Sequence, residues 1–203
     1  MTAVGRALDV ALAAGALLVL LPALAVVAAV VAVTSGRPIL HRAVRIGRHG
    51  RPFRMLKFRT MKIEPGPAIT GAGDPRVTPL GRILRRARID ELPQLVNVLR
   101  GDMSLVGPRP EDPAFVALYS DEQRALLAVR PGITSPASLR FRDEERMLAA
   151  AADPETTYVQ TVLQPKLAYE LDWLATRTLT GDLALLVRSL GVLLAGITDR
   201  PSR

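Results

Sequence analysis

The chain has 203 residues, a formal charge of +8, no cysteine and two histidines. Disulfides, thiolate metal sites and a cysteine nucleophile are therefore excluded, and His41 and His49 are too few for a histidine metal cluster. The basic excess calls for an acidic partner, while an aromatic content of 4% leaves little material for stacking nucleic-acid bases.

From Val10 to Val33 no residue is charged. The run of roughly 24 residues would extend about 36 Å as a helix, enough to cross a bilayer core. It is too long for a signal peptide and lacks a clean small-residue cleavage site. Arg6 precedes it, and Arg37, Arg42, Arg45, Arg48, Arg51 and Arg54 follow it. That excess predicts a globular part on the cytoplasmic side of the inner membrane. Pro22 lies mid-run and removes a backbone hydrogen bond, which favours a kink. On the residues alone, a kinked spanning helix and a re-entrant hairpin both fit. The division expected is residues 1–36 in the membrane and residues 37–203 as a cytoplasmic catalytic domain.

Beyond Gly36-Arg37-Pro38, residues 39–46 and 53–61 read as two strands joined by the turn Gly47-Arg48-His49-Gly50-Arg51-Pro52. Alternation places Lys57 and Arg59 on one face of the second strand. Residues 64–75 read as a loop rich in Gly and Pro. Residues 80–100 read as mainly helical, with a second helix starting near Asp90 or Glu91 because Pro93 suits a first turn. Further helices are expected at 114–129, 144–152, 156–176 and 182–196. The last carries an apolar stripe that suits either a core helix or one lying on a membrane. The fold class expected is α/β, mostly helical, with a short β-hairpin or sheet.

The chemistry concentrates in Arg88-Ile89-Asp90-Glu91-Leu92-Pro93-Gln94 and in Gly101-Asp102-Met103-Ser104-Leu105-Val106-Gly107-Pro108-Arg109-Pro110. Two adjacent carboxylates among so many arginines are expected to be ionised, with lowered pKa values. Such a place suits a phosphorylated anion, a divalent metal and a carboxylate nucleophile. A plain Arg86–Asp90 ion pair on a solvated helix face is the ordinary alternative. Arg109, between two prolines, presents its guanidinium from a stiff loop, as bidentate phosphate binding requires. Arg130, before a Pro-Gly turn, and Arg142, beside Phe141, are weaker candidates.

Five segments occur in order: Lys57-Phe58-Arg59-Thr60-Met61, Val77-Thr78-Pro79-Leu80-Gly81-Arg82, Asp90-Glu91-Leu92-Pro93-Gln94-Leu95-Val96-Asn97-Val98-Leu99, the stretch from Met103 to Pro110, and Arg130-Pro131-Gly132-Ile133-Thr134. Together they resemble the bacterial sugar transferases, monotopic phosphoglycosyl transferases that act on polyprenyl phosphate, in their minimal short form. The resemblance implies that Asp90 is the nucleophile toward the β-phosphate of a UDP-sugar. A covalent phosphosugar-enzyme would form, UMP would leave, and polyprenyl phosphate would take the sugar phosphate to begin a glycoconjugate such as an exopolysaccharide. Glu91, together with Asp90, would hold Mg2+, and Lys57, Arg59, Arg88, Arg109, Arg130 and Arg142 would be substrate-binding. The resemblance also implies a membrane partner, a re-entrant N-terminal helix broken near Pro22, and no nucleic acid; a homodimer stays open. The chain departs from the family pattern at Leu21, where serine is common, at Ala43, and at Ser135-Pro136-Ala137-Ser138, so the sugar is not legible.

Overall fold

The structure, a computed structural model, describes residues 3–66, 69, 73–141, 144–149, 151 and 153–198. It opens with α1, Ala3–Ser35, a helix of 33 residues that continues through Pro22, so the break expected there is not present. At 1.5 Å per residue it is about 50 Å long. Along one side Ala13, Leu17, Leu20, Leu24, Val27 and Val31 alternate in steps of four and three, and all six pack on the globular domain. The opposite side is bare: Leu18, Val19 and Val33 are 76%, 77% and 87% exposed.

Both ends of α1 are pinned to that domain. Near the start, Arg6 donates to the Val98 carbonyl at 2.6 Å. Asp9 accepts from the Ser104 hydroxyl at 2.6 Å and from the Leu105 amide at 3.2 Å. At the far end the Arg59 guanidinium donates to the carbonyls of Ser35, of Gly36 at 2.7 Å and of Arg37 at 3.1 Å. Those carbonyls have no partner within the helix, so Arg59 acts as its C-terminal cap.

Strands β1, Leu40–Ile46, and β2, Pro52–Phe58, form the expected antiparallel hairpin, with His41 opposite Lys57 and Ala43 opposite Met55. The second strand stops before Arg59, which leaves the sheet to reach α1. Helix α2, Pro79–Arg86, is capped by Thr78, whose hydroxyl accepts from the Gly81 amide at 2.9 Å. Gly81 lies so close to the preceding strand segment that a Cβ there would sit 2.0 Å from the Thr60 carbonyl oxygen.

The helix expected over residues 80–100 is divided. Arg88 adopts a left-handed conformation at φ 55°, a single 3-10 turn covers Ile89–Glu91, and α3 begins only at Gln94–Arg100 with Pro93 at its N-cap. Asp90 and Glu91 therefore stand on a tight turn between two helices. A continuous α-helix would have set Asp90, Gln94 and Asn97 on one face by their spacing of four and three, and leaving it at Arg88 removes that face.

Strand β3, Ser104–Val106, pairs in parallel with β4, Gly132–Thr134, a sheet that residue patterning did not reveal. Three-residue strands carry too little periodicity to be read. The helix expected at 114–129 is instead α4, Pro113–Val116, and a 3-10 segment, Gln123–Ala128. Ser120 and Gln123 exchange side-chain and backbone hydrogen bonds at 2.9 and 3.3 Å, a local arrangement that replaces helical turns.

The remaining helices are α5, Pro136–Arg140, α6, Glu144–Ala149, and α7, Pro154–Thr157. The last continues through a π-turn, Tyr158–Leu163, into α8, Gln164–Thr176. Helix α9, Leu179–Thr198, is the last element among the described residues. Leu186 packs on the core, but Leu183, Val187 and Leu190 are 41%, 72% and 57% exposed. Its apolar stripe is thus not that of a core helix. One apolar cluster (Phe115, Tyr119, Leu126, Leu148, Tyr158, Leu163, Leu167) joins α4 to α8; a second (Met55, Leu95, Val98, Met103, Leu105) lies under α1.

Candidate active site

Asn97 fixes the floor of the site. It is fully buried on α3, accepts from the Leu56 amide at 3.0 Å and donates to the Arg54 carbonyl at 2.8 Å. A single side chain thus ties α3 to β2 and sets Lys57 opposite the turn that carries the two acids. Asp102 braces it by accepting its other amide proton at 3.0 Å.

Glu91 gathers the cations. Its Oε1 accepts from Lys57 Nζ at 2.7 Å and from the Arg109 guanidinium at 3.1 Å, with Arg88 at 3.8 Å. Burial opposes its ionisation, but Lys57, Arg109 and Arg88 hold it well below the usual carboxylate range. The same pair drives Arg109 upward, so both stay charged at any ordinary pH.

Asp90 behaves differently, against the expectation that both acids would be lowered. It is 6% exposed and its Oδ1 has no hydrogen-bond partner. Burial, and then the Glu91 charge, push its pKa up to about 6, more than Lys57, Arg85 and Arg88 pull it down. The structure thus presents one carboxylate locked as an anion beside one that is desolvated and unpartnered. A buried acceptor left bare is costly unless something arrives to use it.

Of the residues singled out in the sequence, Lys57, Arg88, Arg109, Asp90 and Glu91 come together. Arg59 is spent on the end of α1. Arg130 donates its Nε to the Gly101 carbonyl at 2.8 Å, and burial with Arg6 and Arg48 nearby lowers its pKa. Arg142 lies outside the described residues. Gln94 has no role among the residues expected at the site, yet it is 2% exposed with an unpartnered Nε2 on the first turn of α3. Its position four residues after Asp90 was visible; its burial was not.

Two hard carboxylates, with a bare oxygen on Asp90 and all three cation contacts of Glu91 falling on Oε1, form a donor set that fits magnesium. Among the described residues no group of three or more Asp, Glu or His side chains is assembled as a metal cage. Magnesium ordinarily takes one or two carboxylates and completes its shell with water and substrate phosphates, so the pair suffices.

Residues 1–196 match the family model described as bacterial sugar transferase. The chain is 42% identical over 195 residues to the UDP-glucose:undecaprenyl-phosphate glucose-1-phosphate transferase of Caulobacter vibrioides, covering 93% of this chain and 69% of that one. It is 36% identical over 174 residues to an exopolysaccharide production protein of Sinorhizobium fredii, covering 76% of each chain. Against the UDP-N-acetylgalactosamine-undecaprenyl-phosphate N-acetylgalactosaminephosphotransferase of Aeromonas hydrophila it is 32% identical, over 96% of this chain and 44% of that one. With that agreement running through the turn that holds Asp90 and Glu91, the chain belongs to the bacterial sugar transferase family.

Proposed function

We propose that this enzyme transfers a sugar 1-phosphate from a UDP-sugar to a membrane polyprenyl phosphate in two displacements at Asp90, as a first step of exopolysaccharide or related glycan assembly. The observation that carries the reading is the contrast within the acid pair: Glu91 holds its charge among three cations, while the buried Asp90 keeps Oδ1 unpartnered.

In the first displacement an Asp90 carboxylate oxygen attacks the β-phosphorus, the one bonded to the sugar. The bond from that phosphorus to the bridging oxygen breaks and UMP departs with the electron pair. In the second, a phosphate oxygen of the lipid attacks the same phosphorus, and the carboxylate of Asp90 is released with its electrons. The product is a polyprenyl-diphosphate sugar. Splitting the transfer lets one anionic site take a soluble donor and a membrane-bound acceptor in turn. Desolvation favours the attack, because an unhydrated carboxylate is the stronger nucleophile. Lys57, Arg88 and Arg109 offset the charge of the phosphoryl oxygens. Asp90 and Glu91 would hold magnesium, which when bound withdraws charge from phosphate oxygens as a Lewis acid.

The site belongs at the cytoplasmic face of the inner membrane in this reading. Support comes from α1: a helix whose two ends are both tied to one polar domain leaves no room for that domain on one side and an end on the other. Its bare face would lie in lipid, embedded from the cytoplasmic side without crossing. The relatives' names carry different sugars, glucose and N-acetylgalactosamine, and the reading is of the UDP-sugar class they share.

The test is mass spectrometry of the purified enzyme incubated with UDP-sugars alone. The expected result is a phosphosugar adduct on Asp90, with UMP released in equal amount. An adduct on another side chain, or product formed with none, would reject the mechanism.

A further inference from the structure

A second set of charges is gathered around the buried Lys166, one of them in the Arg109 loop. Lys166, on α8, is 3% exposed; its Nζ lies 2.9 Å from Glu144, 3.3 Å from Glu111 and 3.1 Å from the Tyr158 hydroxyl. That hydroxyl in turn donates to Glu111 at 2.9 Å. Glu111 is two residues from Arg109 in the same Pro-rich loop, and its own carbonyl accepts from the Ile46 amide at 3.1 Å. The near end of the loop is fixed as well, since the Gly132 amide donates to the Pro108 carbonyl at 2.9 Å and the Gly107 amide to the Thr134 carbonyl at 3.1 Å.

Arg109 therefore feels the charge of two groups of acids. Its guanidinium lies 3.1 Å from Glu91, and the charges of Glu144 and Glu111 also act on it. The choice between them is made by the neutralising charge. Lys166 is the cation given to Glu111 and Glu144, and removing one partner from a buried pair leaves the other seeking compensation. Without Lys166 the nearest available cation in the loop is Arg109.

We propose that Lys166 is a positioning residue: by occupying Glu111 and Glu144 it keeps the Arg109 guanidinium turned to Glu91 and to the donor diphosphate. The proposal rests on the reading of Arg109 as a phosphate ligand. Tyr158 serves the same end by supplying the second donor to Glu111.

The test is a double-mutant cycle in full-length enzyme, with Lys166→Met and Arg109→Ala singly and together. KM for the UDP-sugar, the single-turnover rate of adduct formation and Tm are measured for each. Lys166→Met is expected to raise KM about tenfold or more in the parent, in keeping with loss of one member of a buried charge pair. In the Arg109→Ala background it should change KM and rate less than twofold while still lowering Tm. A structural role would lower activity by the same factor in both backgrounds, and that result would overturn the proposal. Should Lys166→Met not fold, Tyr158→Phe keeps the ring and removes the hydroxyl. It is expected to show a smaller KM increase that likewise vanishes with Arg109→Ala. If Arg109→Ala by itself leaves KM unchanged, the phosphate role of Arg109 fails, and the proposal falls with it. Additivity with a damaging Arg109→Ala rejects the positioning role alone.

Discussion

Lys57 Nζ lies 2.7 Å from Glu91 Oε1, a contact between the open end of the hairpin and the turn that separates α2 from α3. It commits the lysine charge to Glu91 and leaves the adjacent Asp90 buried with a bare oxygen. The difference between these neighbours governs what substitutions at the site will do.

Asp90→Asn removes a carboxylate whose ionised form the fold disfavours. The variant is expected to form no phosphosugar adduct and to release no UMP, and yet to melt higher than the parent at pH 8, by about 5 °C. Calorimetry alongside adduct mass spectrometry checks both. A lower melting point would show that Asp90 supports the fold, contrary to its unpartnered state.

The pH dependence carries a definite sign. The Asp90 pKa is raised in the fold from its ordinary 3.8 to about 6, so its protonated form is the one favoured there. The stability it contributes is fully present below about pH 4 and is lost as pH rises through about 6. Activity moves the opposite way. kcat/KM should fall about tenfold per pH unit below pH 6, as the nucleophile takes up its proton. Glu91 stays ionised across that range, and a profile flat down to pH 5 would remove Asp90 as the titrating nucleophile.

Metal removal tests the donor set. Turnover is expected to stop in excess EDTA and to return on adding magnesium, measured as UMP release. Full activity in the chelator would dismiss the metal role of Asp90 and Glu91.

Asn97→Leu should act through architecture. It strips the Leu56 amide and the Arg54 carbonyl of their partners at a fully buried position. The expected loss is about 3 kcal/mol of stability, read from urea unfolding. Activity per folded molecule should drop as well, because Lys57 loses its fixed placement.

The path of α1 is open to chemical labelling, because the chain has no cysteine of its own. Single cysteines at Val4, in the first turn of α1, and at Arg42, in β1 beyond its other end, both exposed, are expected to react with a membrane-impermeant maleimide only from the cytoplasmic side. Labelling of Val4→Cys from the outer side would mean that the helix crosses.

Much of this protein was determined by local sequence. The charge-free run of α1, the hairpin, the helices ending in α8 and α9 and the dense acid–arginine segment are all consequences of near-neighbour patterns. Periodicity and charge act over a few residues, so they survive in one dimension. Tertiary structure decided what depends on distant partners. Arg59 and Lys57 sit two residues apart in sequence, but the end of α1 claims one and Glu91 the other. Asp90 and Glu91 looked alike in a field of arginines, and only burial raised one while ion pairing lowered the other. Lys166 and Glu111 are 55 positions apart, and no pattern linked them until folding brought α8 against the Arg109 loop. Desolvation and long-range pairing belong to the packed chain, because each depends on which surfaces exclude water together.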